Sequence, residues 1–206
     1  MILSDKEIRE RCLNYKNYEM DAPMVTPFVE KKLQGASYDC SITEELFVID
    51  KSNQIIDLRN KNDIEYLYNK RIIGDEGFIL LPHTYVLVTL NETFYIPKNL
   101  TAHLRPRTAF IRIGLMVSGQ HINPDSICKL KIGLFNASDN PIVLRKDLVI
   151  GQMVFEEMKS VPSDEKLYKT KKDAHYSEDI AFKGARFDGE FDNVVNRELK
   201  KILEDK

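Results

Sequence analysis

A chain of 206 residues, 43% of them hydrophobic, suits one domain with a sizeable core plus a long tail or small appendage. Its 30 Lys+Arg and 32 Asp+Glu nearly cancel to a formal −2. That balance excludes a global field favouring nucleic acid or a membrane surface, so an anionic ligand must be held by a few placed cations. Cys12, Cys40 and Cys128 are widely spaced with no CxxC, and the histidines show no zinc-ligand spacing. Free thiols in a reducing cytoplasm and no protein-held metal are expected.

Ser4 followed by Glu7 forms a capping-box pattern, and Ile8 and Cys12 give a short apolar stripe, so residues 5–14 read as a helix. This opening lacks the apolar stretch of a signal peptide, and no run approaches the ~20 apolar residues of a membrane span, so a soluble cytoplasmic protein is expected. Pro23 and Pro27 punctuate the next segment, and Phe28 to Leu33 allow one helical turn. Leu46-Phe47-Val48-Ile49 reads as a strand, whereas residues 51–70 are polar, irregular and a candidate insertion. From Gly77 onwards short β-rich runs dominate: residues 78–81, 85–88, 93–96, 111–117, 129–135, 142–144 and 149–155. Turn signals such as Pro97-Lys98-Asn99, Asn123-Pro124-Asp125 and Asp139-Asn140-Pro141 separate them. This spacing predicts a mainly β chain folded as a barrel or distorted jelly roll, not βαβ units. After Met158 the chain turns charged, and Asn193 to Lys206 carries apolar residues at helical spacing. The expected organisation is a β body with an N-terminal helix over 1–158, then a C-terminal segment and terminal helix over 159–206.

The most distinctive segment is Leu104 to Asp125. Arg105, Arg107 and Arg112 lie beside Thr108, and guanidinium forks paired with a hydroxyl and turn N–H groups suit phosphate oxygens. A solvated or carboxylate-paired surface also collects arginines. The word around them, Arg105-Pro106-Arg107-Thr108-Ala109-Phe110-Ile111-Arg112-Ile113-Gly114, sharpens the phosphate reading.

With that word in hand, the chain resembles the dCTP deaminase branch of the dUTPase superfamily over most of residues 1–187. Gly35-Ala36-Ser37-Tyr38-Asp39 is similar to an early family motif, and Arg107 to Gly114 to its Arg-Ser-Ser-x-x-Arg-x-Gly signature. Ile122-Asn123-Pro124 falls where the family carries Ile-Asp-Pro, and Ile150-Gly151-Gln152-Met153-Val154-Phe155 where it carries Ile-Gly-Gln-Leu-x-Phe. Tyr168 to Tyr176 is similar to its triphosphate-closing tail. The resemblance implies a dUTPase-like jelly roll assembled as a homotrimer with sites at subunit interfaces. It also implies a pyrimidine deoxynucleoside triphosphate bound with Mg²⁺ through its phosphates, and deamination of dCTP to dUTP. By position, Arg107 and Thr108 hold phosphates, Gln152 reaches the phosphate or base region, Tyr168 meets the triphosphate, and Arg112 organises the site.

The chemical end of the pattern departs from the family. The proton-shuttling glutamate of the deaminases falls on Gly133, which cannot move a proton. The aspartate of the dUTPases falls on Asn123, which can bond a 3′-hydroxyl but has no useful basicity. Ala109 replaces a ligand-binding serine, and His175 stands where a tail lysine meets phosphate. Lys183 and Arg186 are candidates for the missing tail charge. The open choices for a general base are Asp125, His121, or a tail carboxylate such as Glu178 or Asp179. Two functions therefore stand side by side: a hydrolase with a relocated base, and a nucleotide- or partner-binding module that has lost turnover.

Overall fold

The computed structural model of the chain describes residues 1–49, 56, 67–170 and 180–185. In chain order its elements begin with α1 (Asp5–Leu13), β1 (Val25–Thr26), β2 (Leu33–Gln34) and β3 (Ser37–Ile49). Next come β4 (Tyr68–Ile72), β5 (Phe78–Leu80), β6 (Tyr85–Leu90), β7 (Thr93–Ile96) and β8 (Leu100–Pro106). Helix α2 (Thr108–Arg112) precedes β9 (Leu115–Val117), β10 (Gln120–Ile122), β11 (Ser126–Cys128), β12 (Lys131–Asn136), β13 (Ile142–Leu144) and β14 (Val149–Glu157). The expected mainly β class is what the chain adopts, as a curled antiparallel half-barrel with few short helices.

The large sheet runs β10-β8-β14-β3-β6-β12-β9, with β2 and β4 also paired to β3. Strand β3 is its spine: the first half pairs β14, and after a register shift between Ile42 and Leu46 the second half pairs β6 and β4. That irregularity lets one strand serve both sides of the curl. A second bulge, between Val149 and Gly151 of β14, switches the inward parity, so that Ile150 and then Met153 and Phe155 all face the core. These side chains pack with Tyr38, Ile42, Leu46, Val88, Leu90 and Phe94, none more than 1% exposed. Burial pushes the Tyr38 phenol up to about 12 and the Cys12 thiol up to about 11, and it raises Cys40 well above the ordinary thiol range, so these groups stay neutral. None of the three cysteines is in a disulfide.

One polar cluster is built into this interior. Glu92, fully buried, accepts from Lys32 Nζ at 2.5 Å and from the Ser41 N–H at 3.1 Å. Lys32 also reaches Ser41 Oγ at 2.7 Å, and Asn91 Nδ2 donates to the Ile42 carbonyl at 2.9 Å. The cluster ties the turn after β6 to β3 and to the 3₁₀ turn Glu30–Lys32.

The Ser4–Glu7 box forms, with the Ser4 N–H donating to Glu7 Oε2 at 2.8 Å, and it holds the Glu7 carboxyl below its usual range. Three local expectations are corrected. Residues 111–117 do not form one strand: Thr108–Arg112 is helical and β9 starts only after Gly114, whose φ of +77° breaks the chain direction. Tyr68 to Ile72, partly within the candidate insertion, is a strand paired with β3. The turn expected over Phe28 to Leu33 narrows to Glu30–Lys32. The terminal helix expected at Asn193 to Lys206 lies outside the described residues.

Candidate functional site

β10 and β8 pair with His121 opposite His103 and Ile122 opposite Ala102. Beyond Ile122 the chain turns sharply into β11. Pro124 limits the backbone, Asp125 takes a left-handed φ of +59°, and Ser126 Oγ closes the turn on the Asn123 carbonyl at 2.6 Å. Thr101 Oγ1 donates to the Ile122 carbonyl at 2.8 Å from the neighbouring strand. Between this turn, β12 and the segment 180–185 lies a cavity of about 380 Å³. Leu87, Ile122, Cys128 and Leu130 give it an apolar floor, and Tyr68 and Tyr168 flank it.

The polar groups of the cavity converge from different elements. His121 Nε2 and Asn123 Oδ1 are 3.2 Å apart, and the His103 ring lies 4.8 Å from that of His121. Gln120 is fixed by its amide donating to the Lys131 carbonyl at 2.7 Å. Lys183 from the segment 180–185 brings a cation, Lys131 from β12 donates to the Ala181 carbonyl at 2.8 Å, and among the described residues no carboxylate lines the cavity. Its charge therefore suits an anionic ligand, and its volume suits a nucleoside-sized body.

Of the residues singled out in the sequence, His121, Asn123, Tyr168 and Lys183 share this cavity. Asp125 does not line it; its charge adds slightly to the upward shift that burial gives the Tyr95 phenol. Arg107, Thr108, Ala109 and Arg112 lie on and beside α2, away from the cavity walls. Gln152 joins that second group: it lies directly opposite Arg105 across the β14–β8 pairing, and its amide donates to Asp39 Oδ1 at 3.0 Å. Within one chain the arginine group and the cavity group share no wall. His175, Glu178, Asp179 and Arg186 lie outside the described residues. Sequence reasoning missed Lys131, Gln120, Leu87 and Tyr68. Period-2 alternation places Lys131 on the face of Gly133, a usable signal, whereas Tyr68 arrives only through the β3–β4 pairing.

Gly133 has a specific neighbour. A Cβ built there would lie 2.4 Å from Tyr85 Oη and 2.8 Å from its ring, so the phenol of β6 rests on the bare strand. The Gly133 N–H donates to Ser118 Oγ at 2.9 Å on the other side. Tyr85 is 39% exposed, and partial burial raises its phenol above the ordinary value, which keeps it neutral. Gly133→Ala is expected to lift the ring into solvent. The backbone gain of replacing a strand glycine, about 0.5–1 kcal/mol, then roughly offsets the lost packing. A tyrosine ring-carbon NMR titration checks this: the Tyr85 phenol should move back down towards its ordinary value while the unfolding midpoint barely changes.

A dCTP deaminase-like family model matches residues 2–158. A dUMP-forming dCTP deaminase of Persephonella marina is 27% identical over 159 residues, covering 77% of this chain and 84% of that protein. A dCTP deaminase of Haemophilus influenzae is 29% identical over 167 residues, covering 76% and 85%. Among solved structures, the 2′-deoxycytidine 5′-triphosphate deaminase of Agrobacterium tumefaciens shares the fold, with a TM-score of 0.60 at 16% identity. That match covers 82% of this chain and 53% of the other, so the chain spans about half the length of that solved relative.

Proposed function

The chain belongs to the dCTP deaminase-like family, and from that premise we propose that it binds a pyrimidine deoxynucleoside triphosphate in the cavity and hydrolyses it to the monophosphate and pyrophosphate. One observation carries the reading: the cavity brings a His121–Asn123 pair together with Lys183 and Tyr168 on its walls. In this reading Asn123 bonds the sugar hydroxyl and orients a water. His121 takes the proton from that water as it attacks phosphorus, and the bond to pyrophosphate breaks. Lys183 and Tyr168 face the phosphates. Deamination is the weaker branch, because Gly133 offers no group to carry a proton and a neutral phenol covers it.

The arginine group then serves a neighbouring chain. Arg107, Thr108, Arg112 and Gln152 cannot reach their own cavity wall, whereas a homotrimer could deliver them across an interface. An apolar row supports that assembly: exposed Met116 and Tyr85 flank half-buried Phe135 on β9, β6 and β12, near exposed Ile111 and Ile113. Light scattering should return a trimer; a monomer would remove the shared site. Magnesium belongs to the ligand in this scheme. Among the described residues no group of three His, Cys, Asp or Glu could hold a metal, while the lysines and arginines suit the phosphates that chelate one. When bound, the ion supplies neutralisation of phosphate charge. No helix among the described residues is long and apolar enough to cross a membrane, and a cytoplasmic site suits both the reduced cysteines and the substrate.

The test is incubation with dCTP, dUTP and dTTP in Mg²⁺, reading ammonia, pyrophosphate and thermal stabilisation together. Pyrophosphate without ammonia, lost in His121→Ala, is the expected result. Stabilisation without product would favour the second reading, a binding module without turnover, to which Asn123 and Gly133 point. No response to any nucleotide would remove both.

A further inference from the structure

Gln120 opens β10 and is half-buried on the cavity wall. Its Nε2 donates to the Lys131 carbonyl at 2.7 Å. β10 lies at one end of the large sheet and β12 near the other, so this bond ties together strands that do not pair with each other. Two residues further along β12, Ser118 donates its N–H to the Gly133 carbonyl at 2.9 Å, and its Oγ accepts the Gly133 N–H at 2.9 Å. Fixed bonds therefore hold this part of the wall.

A carbonyl can only accept, so the bond settles which end of the carboxamide faces Lys131: the nitrogen. Oε1 then points away from that carbonyl. It has no hydrogen-bond partner among the described residues, and it is not sealed in, because the one buried, unpartnered side-chain polar atom among them is Thr89 Oγ1. Gln120 thus offers the cavity an acceptor in a fixed place, beside the second N–H of its own amide.

We infer that Gln120 is the residue that reads the base, and that it selects uracil over cytosine; the inference rests on the function proposed above. Uracil carries its N3–H between two acceptors, O2 and O4. With Oε1 facing that N–H, the amide nitrogen meets a carbonyl of the base whichever side of N3 it lies on. Cytosine turns a lone pair towards the same acceptor at N3, and it matches the amide in one placement only, with Oε1 at the exocyclic amine. The amide cannot turn over to suit cytosine without breaking its bond to Lys131.

The full-length protein is titrated calorimetrically, with Mg²⁺, against the α,β-imido triphosphates of deoxyuridine, deoxycytidine and 3-methyldeoxyuridine. The triphosphate is common to all three, so the ratios of affinity report the base alone. The deoxyuridine analogue should bind ~30-fold tighter than either of the others, the usual cost of facing a fixed acceptor without a donor. Gln120→Met keeps the length of the side chain and removes both polar atoms. In that variant the three affinities should fall within about threefold of one another, with the loss taken by the deoxyuridine analogue. Equal binding of the uracil and cytosine analogues by the wild type would overturn the inference and leave nucleotide binding standing. A preference that survives in Gln120→Met would do the same. Binding of none of the three would defeat the functional reading, and the inference with it.

Discussion

Asn123→Asp is expected to raise the rate of pyrophosphate release by ~10²-fold or more, the usual contribution of a positioned proton acceptor. The substitution exchanges an amide for a carboxylate of the same shape, in a turn already fixed by Pro124 and by the Ser126 hydroxyl. The new carboxylate would face His121 Nε2 across the 3.2 Å now spanned by the amide oxygen. It would then accept the water's proton directly, with His121 reduced to an orienting partner. Steady-state kinetics with Mg²⁺ and dUTP measure the gain in kcat, and His121→Ala sorts the roles. His121 should be indispensable in the wild type and largely dispensable in the Asn123→Asp variant. An unchanged rate, with the unfolding midpoint intact, would show that Asn123 does not touch the reaction.

Glu92→Ala is the largest loss of stability expected. Its carboxylate is fully buried and accepts from both Lys32 and the Ser41 N–H. Removing one partner of a buried pair costs ~3–5 kcal/mol, because the others lose their compensation. Lys32 is partly exposed and can turn to water, so about 3 kcal/mol is the better figure. For a chain of this size that lowers the thermal midpoint by roughly 6–12 °C. Glu30→Ala is the contrast: Arg9 and Glu30 make three close contacts, yet both are solvent-exposed, and their loss should leave the midpoint nearly unchanged. Thermal unfolding followed by circular dichroism distinguishes the two. Equal midpoints for both variants would mean that the buried cluster contributes nothing.

The fold is readable wherever local pattern and burial agree. The capping box of α1 and most strand runs after Gly77 follow from side-chain spacing alone. Strand β8 escapes such a reading, although Leu100, Ala102 and Leu104 alternate with Thr101, His103 and Arg105 as a half-buried strand should. Its trailing Arg105-Pro106-Arg107 stands out by charge and masks the period. Residues 111–117 resemble one strand because Ile111, Ile113 and Val117 have strand propensity, while a helical turn over Thr108–Arg112 leading into Gly114 delays the strand to Leu115. The cavity is legible only in part. His121 and Asn123 sit next to a turn signal, and Tyr168 and Lys183 follow family resemblance. Lys131 has a period-2 signal, but Leu87 and Tyr68 depend on which strands pair and in what register, which no local window contains.

The contact between Tyr85 and Gly133 also constrains how such a chain can change over time. A carboxylate at 133 would emerge into the space the phenol occupies, so it would have either to displace the Tyr85 ring or to arrive with a smaller residue 85. Either step alone has little to favour it: a smaller residue 85 leaves a gap on the sheet, and a larger residue 133 evicts the ring. The aromatic group that settles comfortably on a glycine thereby acts as a historical ratchet, making the glycine easier to keep than to reverse.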